Sequence, residues 1–231
     1  MVVAFYEGAR DGGQEKKYTD YLNAHKNIYD NVKHSLDAII FVIACDNLEQ
    51  ERTVVNGNIH YYYRHNRNLS FGSWVDCINS TDYDYYILCE DDYLFIKDNF
   101  DTDLLNDYKR CKSDIHVVWR QGPTGPVTGL ICTIGIVSKS KVEQILNGYN
   151  LTSRHKANAM SAFLSPFPNV SSTKGTVFPY YCYRTDSTWF YVDEGGTCIN
   201  DYVPSGTDNI IVACYQFVEK YHNHLISDNC K

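Results

Sequence analysis

Apolar residues fall along this chain in short blocks separated by polar turns, and the blocks alternate between two periodicities. Val2 to Tyr6 is a short apolar run at the N-terminus, followed by the breaker Asp11-Gly12-Gly13. From Gln14 to Tyr29 the positions Tyr18, Tyr21, Leu22, His25 and Ile28 fall near one face, which predicts a helix. Ala38 to Ala44 is a continuous, largely β-branched run ending at Cys45-Asp46-Asn47. Such a run predicts a strand covered on both faces, as parallel sheets require.

The pattern then repeats. Ile59 to Tyr63 predicts a third strand, the loop His65 to Ser70 leads to a helix at about Phe71 to Asn79, and Tyr85 to Cys89 predicts a fourth strand. That strand stops at Glu90-Asp91-Asp92. A helix is expected near Asp101 to Cys111, then a strand at Ile115 to Trp119. The Gly/Pro-rich loop Gln121 to Pro126 precedes a strand at Leu130 to Val137 and a helix at Lys139 to Leu146. Gly148 to Tyr183 shows no readable period. Trp189 to Val192 predicts an edge strand, and Asp208 to about Leu225 a closing helix.

Strands alternating with helices at this spacing predict an α/β fold: a Rossmann-like, mostly parallel sheet with helices on both faces. In such sheets ligands sit beyond the carboxyl ends of the strands. The residues to interrogate are therefore Tyr6-Glu7, Cys45-Asp46, His65 to Asn68 and Glu90 to Asp92. The sequence has neither a GxGxxG after its first strand nor a GxxxxGK[ST], which argues against dinucleotide and P-loop sites.

Composition narrows this further. A chain of 231 residues with 44% hydrophobic content and no Pro/Gly/Ser-rich linker predicts one domain over residues 1–231. The net charge of -7 argues against nonspecific nucleic-acid binding, but a bound divalent cation would reverse the local sign for a phosphorylated ligand. No apolar run approaches the roughly 20 residues of a membrane-spanning helix. The nine cysteines include no CxxC, and several lie inside apolar runs as small hydrophobes. With no basic region and long apolar stretch at the N-terminus, a reducing, cytoplasmic setting is expected.

Glu90-Asp91-Asp92 is the most informative tripeptide. Strand alternation would turn Glu90 and Asp92 to one side and Asp91 to the other. Two carboxylates at the open end of a buried strand suit a hard cation, Mn²⁺ or Mg²⁺, whose remaining positions are filled by phosphate oxygens and water.

The stretch Asp82 to Asp92 resembles the "dyilflDDD" segment of GT-A fold, nucleotide-sugar-dependent glycosyltransferases, with Glu-Asp-Asp in place of Asp-x-Asp. Asn66 to Asp76 resembles that family's Asn-rich loop and following helix, "N-x-G-x-x-x-A-x-N-x-G-I", with Asp76 standing where the family carries Asn. Asp46 falls where the family places an acidic residue after its second strand. The resemblance covers about residues 1–146, which implies a nucleotide-sugar and metal half there and an acceptor-side half over about 147–231, and the small size resembles compact glycosyltransferases of large algal DNA viruses.

The resemblance implies a GT-A type fold and a set of roles. Asp92 would be the direct metal ligand, and Glu90 would contact the ribose or a metal-bound water. Asp46 would read the edge of uracil or another base, with Tyr6 or Phe5 packing on its ring. Arg67 and Asp76 would hold the donor, and Asp91 would complete the nucleotide-sugar site. The donor would be a nucleoside-diphosphate sugar, a UDP-sugar first, and the acceptor a glycan or other hydroxyl compound. The cofactor would be Mn²⁺ or Mg²⁺.

An inverting transfer needs a base opposite the leaving group. Asp208 is the first candidate, because family members commonly carry the base at the start of a helix after the acidic motif; it would equally serve as a helix N-cap. Asp193 and Glu194 come next, and Asp186 third. The Gln121 to Val127 loop is placed where a lid over the donor would be. Two other classes stay open: a sugar nucleotidyltransferase, and a non-catalytic carbohydrate-binding module using its many tyrosines.

Overall fold

A computed structural model describes residues 1–8, 18–118, 135–146, 167, 169–173, 181–185, 188–192, 198–199 and 212–214. In chain order the first elements are β1 (Val2–Tyr6), α1 (Tyr18–Asn31), β2 (Ile39–Cys45), β3 (Arg52–Asn56), β4 (Ile59–His65), α2 (Leu69–Ser80) and β5 (Tyr85–Glu90). Then come β6 (Tyr93–Phe95), α3 (Phe100–Cys111), β7 (Ile115–Val118), β8 (Gly135–Ser138), α4 (Lys139–Leu146) and β9 (Val170–Thr173). Four strands follow: β10 (Tyr181–Thr185), β11 (Thr188–Val192), β12 (Cys198–Ile199) and β13 (Val212–Cys214).

The main sheet has eight strands in the order β3-β4-β2-β1-β5-β8-β7-β9. β4, β2, β1 and β5 are parallel neighbours, and the pairings give β7 and β9 the same direction; only β3 and β8 run the other way. The fold is therefore the expected mixed α/β, mostly parallel sheet.

Alternation along the central strands divides the core in two. Val3, Phe5, Ile39, Phe41 and Ile43 pack against Tyr21, Ala24 and Ile28 of α1 and Phe100, Leu104 and Tyr108 of α3. Val2, Ala4, Ile40 and Val42 pack on the other side against Phe71, Trp74, Cys77 and Ile78 of α2 and Val142 of α4. All seven residues of β2 are buried, which explains its unbroken apolar sequence. Cys45, Cys77 and Cys89 are free and buried, and desolvation pushes the Cys45 and Cys77 thiols up to about 12. They pack as hydrophobes.

Three elements depart from expectation. β3 makes an antiparallel hairpin with β4 around Gly57, whose φ of 61° suits a residue without a Cβ. All five β3 residues are exposed, so no buried periodicity marks it in the sequence. β6, at three residues, is too short to read. The closing helix expected from Asp208 is interrupted: Val212–Cys214 is a strand paired antiparallel with β6. The run Ile210-Ile211-Val212, β-branched throughout, favours extended backbone over helix. The strand expected at Trp189 to Val192 is β11, the middle strand of a three-stranded sheet rather than an edge.

Candidate functional site

The chain builds β1, β2 and β4 outward in one direction, then crosses back to place β5 on the other side of β1. That reversal is the topological switch point of the sheet, where the loops leaving adjacent strands diverge and open a crevice. A cleft of about 350 Å³ lies there. Its walls come from the carboxyl ends of β1 and β5 (Ala4 to Tyr6 and Glu90 to Asp92), from Ala44 of β2, and from Asn66, Leu69 and Ser70 beyond β4.

Two of the lining residues, Tyr6 and Asn66, hold Asp46 between them at the exits of the strands. The Tyr6 hydroxyl donates to Asp46 Oδ2, and Asn66 Nδ2 donates to Asp46 Oδ1 at 2.9 Å. The Tyr6 bond, then the Asn66 bond, hold the Asp46 carboxyl below its usual range. β1, β2 and β4 each deliver one member, so parallel pairing assembles residues that are distant in sequence. Asp46 and Tyr6 are thus where the sequence places them. Phe5 is not free to stack on a base: it is 2% exposed, and its ring meets His25 and Phe41 edge-on in the core.

The carboxylates lie at the end of β5. β5 ends at Glu90, and Asp91 and Asp92 form the turn into β6. Regular strand pairing therefore stops at Glu90; Glu90 and Asp92 reach the cleft half-buried, whereas Asp91, although it borders the cleft, is 5% exposed. The end of β5 and the turn are held from both layers: Trp74 Nε1 of α2 donates to Cys89 O in β5 at 3.2 Å, and His25 Nε2 of α1 bonds Asp91 O in the turn at 2.8 Å.

Among the described residues, no group of three or more His, Cys, Asp or Glu side chains could hold a metal ion unaided. Glu90 and Asp92, both half-buried, supply hard oxygen donors at one lip of the cleft. That set fits a cation which takes one or two carboxylates and completes its shell with phosphate and water.

Arg67 and Asp76 do not line the cleft. Arg67 Nη1 pairs with Glu51 at 2.6 Å and its Nη2 with Asp76 at 2.9 Å. Fully buried Arg64 reaches Asp76 at 2.8 Å, Ser73 Oγ at 3.2 Å and the Arg67 carbonyl at 3.0 Å. Burial raises the Glu51 carboxyl, but bonds from Arg67 and the His65 amide outweigh it, so its pKa is lowered. This cluster braces the loop that delivers Asn66, Leu69 and Ser70. Asn68 and Leu69 both have positive φ, 57° and 52°. A Cβ on Gly72 would lie 1.9 Å from the Arg67 carbonyl, so the tight passage from loop to helix requires glycine there.

His25, Glu51, Arg64 and Trp74 escape sequence reasoning because each acts through another residue or the backbone. Asn66 was within reach, since it stands at a strand exit. Asp186, Asp193, Glu194, Asp208 and the Gln121 to Val127 loop lie outside the described residues.

No protein-family model matches this chain, and no curated protein matches it in sequence. Solved structures do resemble it. HddC from Yersinia pseudotuberculosis is 12% identical with a TM-score of 0.49, covering 84% of this chain and 93% of its own. The glycosyltransferase GlyE of Streptococcus pneumoniae is 12% identical with a TM-score of 0.49, covering 76% of this chain and 45% of its own. The 4-diphosphocytidyl-2C-methyl-D-erythritol synthase of Anaerococcus prevotii is 16% identical with a TM-score of 0.43, covering 74% of this chain and 86% of its own.

Proposed function

We propose that this chain is a metal-dependent glycosyltransferase that transfers a sugar from a nucleoside-diphosphate sugar, a UDP-sugar first, to a hydroxyl acceptor with inversion. One observation supports this reading above others. One cleft at the switch point is lined by Tyr6 and Asn66, which hold the exposed Asp46 carboxylate between them, and by the carboxylate turn that follows β5. That arrangement suits a ligand with a heterocycle at one end and phosphates at the other.

The roles follow from chemistry. Asp46, ionised and held by Tyr6 and Asn66, accepts a hydrogen bond from an N–H on the base edge. Tyr6, half-buried, takes the ring-packing role without Phe5. Asp92 and Glu90 hold Mn²⁺ or Mg²⁺, and the cation supplies Lewis-acid stabilisation of the departing diphosphate. Arg64, Arg67, Asp76 and Glu51 keep the Asn66 to Ser70 loop in place. The base comes from the acceptor half, Asp208 first and then Asp193 and Glu194.

The test is a thermal-shift screen with Mn²⁺ of UDP-sugars, other nucleoside-diphosphate sugars and nucleoside triphosphates, followed by a transfer assay on the stabilising donor. Stabilisation by a nucleoside-diphosphate sugar, abolished by EDTA, with sugar transfer to an acceptor, is expected. Stabilisation by triphosphates, with diphosphate release from a triphosphate and a sugar phosphate, would establish the nucleotidyltransferase instead. Glycan binding indifferent to EDTA would establish a binding module.

A further inference from the structure

We infer that His25, with Tyr29 behind it, is a positioning residue for the acidic turn, acting through the Asp91 carbonyl to fix where Glu90 and Asp92 meet a divalent cation. The inference rests on the metal-site reading above.

His25 is 0% exposed and lies one helical turn before Tyr29, so both side chains leave α1 on the face that covers β1 and β6. A carbonyl oxygen can only accept, so at 2.8 Å from Asp91 O the Nε2 atom carries the proton. Nδ1 is then the acceptor, and it takes the Tyr29 hydroxyl hydrogen at 3.0 Å. Tyr29 also has a hydrogen bond with the Phe95 backbone. The pair therefore grips the chain on both sides of Asp92, at Asp91 before it and at Phe95 after it.

Desolvation lowers the His25 pKa to about 4, which keeps the ring in this neutral tautomer at ordinary pH. Phe5 and Phe41 stand edge-on to the imidazole at 5.4 and 6.2 Å and fix its plane. Burying a polar imidazole beside two phenyl rings is costly unless its hydrogen bonds are made, and here both nitrogens are satisfied. A Leu or Phe would fill the space equally well for packing alone. What the imidazole adds is a rigid donor aimed at the turn, the role outer-shell partners play around metal ligands.

The experiment compares wild type, His25→Phe, His25→Gln and Tyr29→Phe in the full chain. It reads three quantities: binding of Mn²⁺ alone by electron paramagnetic resonance, amide exchange over residues 91–95 in metal-free protein, and melting temperature. Gln places an amide nitrogen near the Nε2 position; Phe keeps the ring without the donor. His25→Phe should weaken Mn²⁺ binding by about tenfold or more and speed exchange in the turn. His25→Gln should restore most of both, even where the two melt alike. Tyr29→Phe, which keeps the ring volume, should give an intermediate loss and serves if His25→Phe does not fold. Mn²⁺ binding and exchange unchanged in the donor-less variants would overturn the inference, as would Gln and Phe being equally impaired. If wild type binds no Mn²⁺ through Asp92, as shown by an indifferent Asp92→Asn, the metal reading fails. The exchange data then decide the positioning role alone: accelerated in Phe and restored in Gln supports it, unchanged refutes it.

Discussion

The hydroxyl of Tyr6, the last residue of β1, donates to the carboxylate of Asp46, the first residue after β2. With Asn66 on the far side, this bond favours the ionised form of Asp46 and lowers its pKa below 3.8. A depressed folded-state value means that the carboxylate's contribution to stability is present above about pH 3.8 and lost as pH falls through the lowered value. Tyr6→Phe should therefore move the Asp46 titration upward, read by carboxyl NMR in the free protein. UDP binding should weaken by about threefold to tenfold, the worth of one hydrogen bond on a positioned acceptor. An unmoved titration would show that Asn66 alone sets the carboxylate.

Asp92 carries the strongest expectation for activity. Stabilising the charge that develops on a leaving diphosphate is worth a few kcal/mol in a closed site, so Asp92→Asn should cut transfer by about 10³-fold or more. Mn²⁺ affinity should fall with it while the melting temperature holds. Asp91→Asn is the comparison of interest. Asp91 borders the cleft but is buried, so near-normal turnover is expected and would confine the role to Glu90 and Asp92; a loss approaching that of Asp92→Asn would make all three carboxylates functional.

Much of this architecture is legible in the sequence because its cause is local. β2 is buried on both faces, so it reads as an unbroken apolar run; α4 and α3 repeat their apolar positions at helical spacing and were placed within a residue. The strand exits follow from the strands, which is why the places of Asp46 after β2 and of Glu90 to Asp92 at the end of β5 are legible. What stayed hidden depends on contacts between distant segments. β3 has no buried face, β13 exists by pairing with β6, and Arg67 and Asp76 were assigned to the donor because no local signal reveals Glu51 and Arg64 waiting to pair with them. Phe5 follows the same logic: whether a ring at a strand end faces the cleft or the core is settled by α1 and β2, not by its neighbours in sequence.

The loop brace can be broken from either end. Gly72→Ala would drive a Cβ against the Arg67 carbonyl at 1.9 Å, a backbone atom that cannot step aside without moving the loop. The expected loss is about 2 kcal/mol or more of unfolding free energy, in the range of severe overpacking. Asp76→Ala leaves buried Arg64 without its carboxylate, although Ser73 and the Arg67 carbonyl still accept from it. Removing one partner of a buried pair costs about 3–5 kcal/mol when nothing else remains, so a smaller loss, about 2 kcal/mol, is expected here. Urea denaturation measures both. Donor affinity should fall in both variants through displacement of Asn66, and unchanged affinity in a destabilised Asp76→Ala would separate the brace from the cleft.

The base remains to be assigned by substitution, and Asp208 comes first. It stands four residues ahead of Val212, the first residue of β13. β13 pairs with β6, the strand that leaves the acidic turn, with Cys214 opposite Tyr93. Residues 212–214 are thereby tied to the strand that leaves the carboxylate turn. Because Val212 begins a strand, the helix expected over Asp208 to about Leu225 does not run unbroken from Asp208. Asp208→Asn removes the proton acceptor while keeping size and polarity. As the base, it should lose transfer by roughly 10²–10⁴-fold with UDP affinity and melting temperature almost unmoved, the signature of a group used only in the transition state. Transfer that survives Asp208→Asn would pass the role to Asp193, then Glu194, then Asp186, each testable by the same pair of measurements.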